Sequence, residues 1–155
     1  MGGKGLMTMQ IKLSKSFVGT EEAEAISRII LGEGFLGMGK EVQLFEEELA
    51  QFLDVEREHV MTACSGTAAL HLAVQAVTSP GDEILVQSLT YVASFQAITA
   101  AGAVPVACDV YPETITIDLG DAESKLTSKT KAIMPVHYAS NPGNLDAVYK
   151  FAKAH

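Results

Sequence analysis

The sequence predicts an α/β fold, a mainly parallel sheet flanked by helices. From residue 60 onwards short, continuously apolar runs alternate with segments of helical period, the pattern of parallel strands covered on both faces. Turn chemistry separates them, most clearly Ser79-Pro80-Gly81-Asp82 and Ala101-Gly102-Ala103. The chain has 155 residues, 48% hydrophobic and 19% charged. That is enough for one domain with a real core, and too apolar for general disorder.

Taken in order, residues 1–10 hold glycines and methionines but no apolar signal core, and are read as a disordered or expression-derived leader. Residues 11–155 form the folded part. Ala25, Ile26, Ile29 and Ile30 recur at helical spacing over Glu21 to Leu31, with Thr20 as cap and Gly32 as stop. Gly32, Gly34, Gly37 and Gly39, interleaved with Phe35, Leu36 and Met38, make a loop too apolar for an ordinary linker, so it is expected to pack against something. A second helix spans Lys40 to Leu53, where Val42, Phe45, Leu49, Phe52 and Leu53 make one stripe opposite Glu41, Glu46, Glu47 and Glu48.

The alternation then begins. Strands are predicted at Val60 to Cys64, Glu83 to Gln87, Val104 to Cys108 and Lys131 to Val136. Helices are predicted at Ala68 to Val77, Tyr91 to Ala101, Asp121 to Leu126 and Leu145 to Ala154, the last capped by Asn144. The chain stops at His155 inside that last helix, and a sheet ending there would expose a strand edge, so a fragment of a longer protein is expected.

Eleven Lys and Arg stand against nineteen Asp and Glu, a net charge of −8. This argues against a nucleic-acid partner and against an anionic membrane surface. No run approaches the roughly 18–20 apolar residues that span a bilayer. Cys64 and Cys108 sit in apolar runs read as buried strands, without metal-site spacing, so a cytoplasmic location and no metal are inferred.

A small phosphorylated ligand is compatible with this charge, because backbone amides can supply local positive potential. In Ala63-Cys64-Ser65-Gly66-Thr67-Ala68-Ala69-Leu70 an apolar run ends in Ser-Gly-Thr and a helix begins at once. Gly66 lets a ligand approach the backbone, and Ser65 and Thr67 add hydroxyls, at what the pattern places as the carboxyl end of a strand. Equally, Ser65 and Thr67 can serve as a helix cap and its neighbour. The segment is neither a Walker A sequence nor a dinucleotide fingerprint.

Tyr91, in Leu89-Thr90-Tyr91-Val92-Ala93-Ser94, follows the next strand and could stack on a planar ring, or could be a half-buried tyrosine with a wet tip. His137, after the strand ending Pro135-Val136, could face a ligand or bond only to backbone. His71 reads as a packed or solvated imidazole, and Cys64 as a buried structural thiol.

These segments, in order, resemble the N-terminal half of the DegT/StrS family of pyridoxal-phosphate-dependent sugar aminotransferases, of fold type I. The resemblance runs through Leu13-Ser14-Lys15-Ser16-Phe17, the loop Gly34 to Val42, Phe45-Glu46-Glu47, Cys64 to Ala73, and Pro80-Gly81-Asp82-Glu83-Ile84. It continues through Thr90 to Ser94, Gly102 to Val106, Thr130 to Ile133, and Pro135-Val136-His137. Two positions depart from the family pattern: Tyr111, where an acidic or amide residue is usual, and Ser140, where glycine is common.

The resemblance implies that residues 11–155 are the N-terminal part of the cofactor-binding large domain. It implies that Gly66 and Thr67, with Ser65 nearby, hold the phosphate of pyridoxal 5'-phosphate, and that Tyr91 stacks on its ring. It implies a homodimer, with the Phe35 to Gly39 loop close to a neighbouring subunit's active site. The substrates would be a nucleotide-linked keto sugar and an amino acid donor. The resemblance places the Schiff-base lysine beyond His155, and none of the lysines here has its expected setting: Lys125, Lys129 and Lys131 flank a surface turn, and Lys150 and Lys153 sit on a polar helix face. The chain alone should therefore not transaminate. A sugar dehydratase of the same family, with histidine for that lysine, is the near alternative, and a non-catalytic phosphate-binding α/β module the distant one.

Overall fold

In the computed structural model of the chain, residues 16–32, 34, 37 and 39–155 are described. The expected leader 1–10, the segment Leu13 to Lys15, and Phe35, Leu36 and Met38 of the glycine loop lie outside them. The described helices are α1 (Thr20–Leu31), α2 (Lys40–Leu53), α3 (Gly66–Val77), α4 (Ala93–Ala100), α5 (Leu119–Ser124) and α6 (Leu145–Ala154). The described strands are β1 (Glu83–Gln87), β2 (Val104–Cys108) and β3 (Thr130–Met134). The chain divides into two compact units, one up to Met61 and one from Thr62 to His155.

In the first unit the residue that caps α1 is Gly19 rather than Thr20. The Glu22 carboxylate reaches back to accept the Gly19 N–H at 2.6 Å, while no side chain at the cap position accepts an N–H of the first turn. Gly32 closes the helix as predicted, its N–H donating to Arg28 O at 2.9 Å. Helix α2 keeps its predicted bounds, but its burial differs from expectation. Phe45, Phe52 and Leu53 stay exposed, whereas Glu46, placed by periodicity on the polar side, is buried and bonded to the Arg57 guanidinium. A paired charge can be buried where an unpaired one cannot.

In the second unit the sheet is parallel throughout, in the order β2-β1-β3. Strand β1 is central and buried on both faces. Ile84 and Val86 point to one side, where Val74 of α3 and Ile98 of α4 pack. Leu85 points to the other, with Ala122 of α5, Val148 and Phe151 of α6, and Ile117. This two-sided cover is what a continuously apolar strand predicts, and truncating such a residue typically costs about 2–5 kcal/mol. The turn into β1 follows its sequence: Ser79 N–H donates to Asp82 Oδ2 at 2.8 Å, and Gly81 adopts φ +88.

One predicted strand is not formed. Val60 to Cys64 pairs with no strand among the described residues, Met61 is 71% exposed, and the boundary between the two units falls inside it. An apolar run becomes a strand only where a neighbouring edge takes its N–H and C=O groups. Cys64 is consequently exposed rather than buried, while Cys108 is buried as expected and burial pushes its thiol pKa up. Helix α4 starts two residues later than predicted, after Tyr91 and Val92, and α5 is shifted toward Asp118, whose carboxylate caps it.

The loops beyond β2 and β3 are tightly fitted. Ala139 and Ser140 have φ of +49 and +64, a left-handed pair that explains why glycine is the usual residue at the second position. Gly143 has φ +63, and a Cβ there would stand 2.6 Å from the Thr116 methyl carbon. Asn141 Nδ2 donates to Thr114 O at 3.0 Å across the same junction.

Candidate functional site

The start of α3 is built from three small polar residues. Ser65 is extended (φ −163, ψ 160), its Oγ accepts the Ala68 N–H at 3.2 Å and its carbonyl the Ala69 N–H at 3.0 Å. It is thus a helix cap, as one of the two sequence readings held. A hydroxyl that accepts one bond still has its own O–H to donate, so capping and ligand binding are compatible in the same side chain. The amides of Gly66 and Thr67 are the first of the helix, which α-helical geometry leaves without an intrahelical partner. Ser65, Gly66 and Thr67 are all exposed.

Gly66 has no heavy atom within 4 Å of where a Cβ would stand. Its lack of a side chain is not demanded by the protein's own packing, and leaves open space over the amides. The first turn of α3 also contains no acidic residue, so nothing there cancels the positive end of the helix dipole. A phosphate group fits this cradle: amide donors, two hydroxyls and room to approach.

The placement differs from expectation in one respect. Because Val60 to Cys64 is not a strand, the Ser65 turn does not cap a strand's carboxyl end but follows a connector outside the sheet. Tyr91 does lie beyond the carboxyl end of β1, just ahead of α4, and the residue is 78% exposed. Its carbonyl accepts the Ser94 N–H at 3.1 Å, and Thr90 Oγ1 and Ser94 Oγ bond at 2.8 Å, so the turn carrying the ring is held at its base. Helices α3 and α4 pack against each other, which brings the two segments onto one helix pair. The concavities seen on this unit lie elsewhere. One of about 130 Å³ is lined by Gln87, Tyr111, Thr116, Pro135 and Val136 at the carboxyl ends of β1 and β3.

His137 is exposed, in the turn after β3. His71 Nε2 is buried with no hydrogen-bond partner among the described residues, a packed imidazole. Lys125 donates to Asp121 Oδ2 at 2.6 Å and to Ala107 O at 2.8 Å, which commits it to structure. Among the described residues no group of His, Cys, Asp and Glu could hold a metal ion, and no helix is long and apolar enough to cross a membrane.

Sequence reasoning missed Gln87. It ends β1 fully buried, at 0% exposure, and its carboxamide makes three hydrogen bonds to three different loops. The signal was there in Ile84-Leu85-Val86-Gln87, where a polar residue closes an otherwise apolar strand.

A parallel sheet covered on both faces, with a helix ahead of its first strand that starts without a competing acid, defines an α/β chain with a cradle whose chemistry suits a phosphate group. Residues 18–155 match the DegT/DnrJ/EryC1/StrS aminotransferase family, and the chain belongs to it. It is 39% identical over 144 residues to dTDP-4-dehydro-2,3,6-trideoxy-D-glucose 4-aminotransferase of Saccharopolyspora spinosa, covering 92% of this chain and 37% of that protein. Among solved structures it is similar to AtS13 from Actinomadura melliaura, with TM-score 0.83 and 34% identity over 93% of this chain and 38% of that one. It is also similar to the PLP-form of Spr1654 from Streptococcus pneumoniae, with TM-score 0.74 and 30% identity over 86% of this chain and 34% of that one. The chain therefore spans somewhat more than a third of the length of these relatives.

Proposed function

We propose that the full-length protein is a pyridoxal-phosphate-dependent aminotransferase acting on a nucleotide-linked keto sugar with an amino acid donor. Family membership supports the reaction class, and the named reaction of the Saccharopolyspora relative supports a nucleotide-linked sugar as substrate. The observation that carries the cofactor assignment is the start of α3, where an open Gly66, unpaired first-turn amides and two hydroxyls meet without a competing acid.

In this reading residues 11–155 are part of the cofactor-binding domain. The amides of Gly66 and Thr67 and the hydroxyls of Ser65 and Thr67 bind the phosphate. Several donors act jointly, because a helix dipole alone contributes only about 0.3–1 kcal/mol. The Tyr91 ring lies against the pyridine and shields it from water. Pyridoxal phosphate held there would supply an electron sink that stabilises a carbanion next to the reacting nitrogen, and an aldehyde that can carry the amino group. Lys125 is tied to Asp121, and in this reading the lysine that anchors the cofactor is the one the family resemblance expects beyond His155. A cytoplasmic homodimer completes the proposal.

Pyridoxal phosphate added to the full-length protein tests this. A new visible or near-ultraviolet absorbance band, lost on borohydride treatment, is expected. Absence of both removes the aminotransferase reading and leaves a phosphate-binding module.

A further inference from the structure

We propose that Gln87 is the positioning residue that fixes the seat of Tyr91, by clamping the three loops that leave the carboxyl edge of the sheet. The inference rests on the cofactor role proposed for Tyr91.

Gln87 Nε2 donates to Leu89 O at 3.0 Å and to Ile115 O at 3.0 Å, while Oε1 accepts the Val136 N–H at 3.3 Å. These partners sit in the loops following β1, β2 and β3 respectively. The two carbonyls require the NH₂ end and the amide requires the oxygen, so only one orientation of the carboxamide satisfies all three. Both amide hydrogens are used, and the side chain is wholly buried. A carboxylate of the same shape would set oxygen against two carbonyls, and an apolar side chain would leave three backbone groups unpaired.

Leu89 lies two residues before Tyr91, so this bond holds the root of the turn that carries the ring. Ile115 shows how firmly the clamp acts. It is β-branched yet has φ +57, a conformation such residues adopt only when their surroundings impose it. Its N–H donates to Tyr111 O at 2.7 Å and its carbonyl is the one Gln87 holds, so both of its backbone groups are fixed. An exposed ring on an otherwise free turn would lose affinity for a ligand by having to be ordered on binding; a pre-set turn avoids that loss.

The test is a double-mutant cycle on the full-length protein, reading the dissociation constant for pyridoxal phosphate in the parent, Gln87→Met, Tyr91→Ala and the double variant. Gln87→Met should weaken binding roughly tenfold when Tyr91 is present and leave it unchanged when Tyr91 is alanine. Equal weakening in both backgrounds overturns the proposal, because a general loss of structure would not depend on the ring. Hydrogen exchange without cofactor gives a second readout: Gln87→Met should speed amide exchange in 88–92, 110–117 and 135–140 together, and unchanged exchange in 88–92 overturns the clamp. A Tyr91→Ala protein that binds cofactor as tightly as the parent refutes the cofactor role of Tyr91 instead, and exchange alone then judges the clamp. If Gln87→Met does not fold, exchange in the parent decides: a Val136 amide as fast as exposed loop amides overturns the proposal, and a strongly protected one supports it.

Discussion

Two helix starts in the same unit are finished in opposite ways. At α5, Asp118 caps with one carboxylate oxygen that takes the N–H groups of Gly120 and Asp121, at 2.8 and 3.2 Å, and Asp121 adds a second negative charge in the first turn. At α3, Ser65 caps a single amide with a neutral hydroxyl, Gly66 leaves space beside it, and no acid follows. The first arrangement answers the helix dipole from within the chain. The second leaves it to be answered by something else, which is the physical difference between a cap that serves stability and one that can also serve a ligand.

Making α3 resemble α5 should produce the largest effect. Thr67→Asp puts a carboxylate in the first turn; we expect affinity for pyridoxal phosphate to fall well over tenfold in a spectroscopic titration, while helix stability rises by about 0.3–1 kcal/mol. Retained affinity would mean the phosphate goes elsewhere. Gly66→Ala is the gentler version. The open space at Gly66 lets the protein accept a methyl group, so the melting temperature should hold while the cofactor's dissociation constant rises roughly tenfold.

The converse change, Asp118→Ala, removes the better cap and should cost about 1 kcal/mol in urea denaturation without altering cofactor affinity. The smallest effect concerns pH. The Lys125 hydrogen bond first, and the Asp109 amide second, hold the Asp121 carboxyl below the ordinary aspartate range. A carboxyl whose folded pKa lies below its unfolded value contributes stability above the unfolded value and loses it as pH falls through the folded one. The urea midpoint of the parent should therefore drop more steeply below about pH 4 than that of Asp121→Asn.

Much of this molecule was legible before its structure. The bounds of α2, β1, β2 and α6 follow directly from hydrophobic period and turn residues, and Asn144 caps α6 as expected, its Oδ1 accepting the Ala147 N–H at 3.0 Å. The errors share a cause. Val60 to Cys64 is apolar enough for a strand, Glu46 sits on the polar side of its helix, and Gln87 looks like the end of a strand and no more. In each case the outcome depends on a partner distant in sequence: an edge that is not offered, an arginine eleven residues on, and loops up to forty-nine residues away. Local pattern measures what a residue prefers, and pairing decides what it gets. The proposed phosphate residues rest on local chemistry, since a Ser-Gly-Thr helix start needs no distant partner, whereas Gln87 works only through the distant loops it joins.

The fit between Gly143 and Thr116 joins two loops so closely that they cannot drift independently. Shortening the threonine to alanine would still leave its Cβ 3.0 Å from the added carbon, and the handedness of the backbone at residue 143 would disfavour any side chain there in any case. A successful replacement of the glycine would first require the approach to α6 to be redrawn.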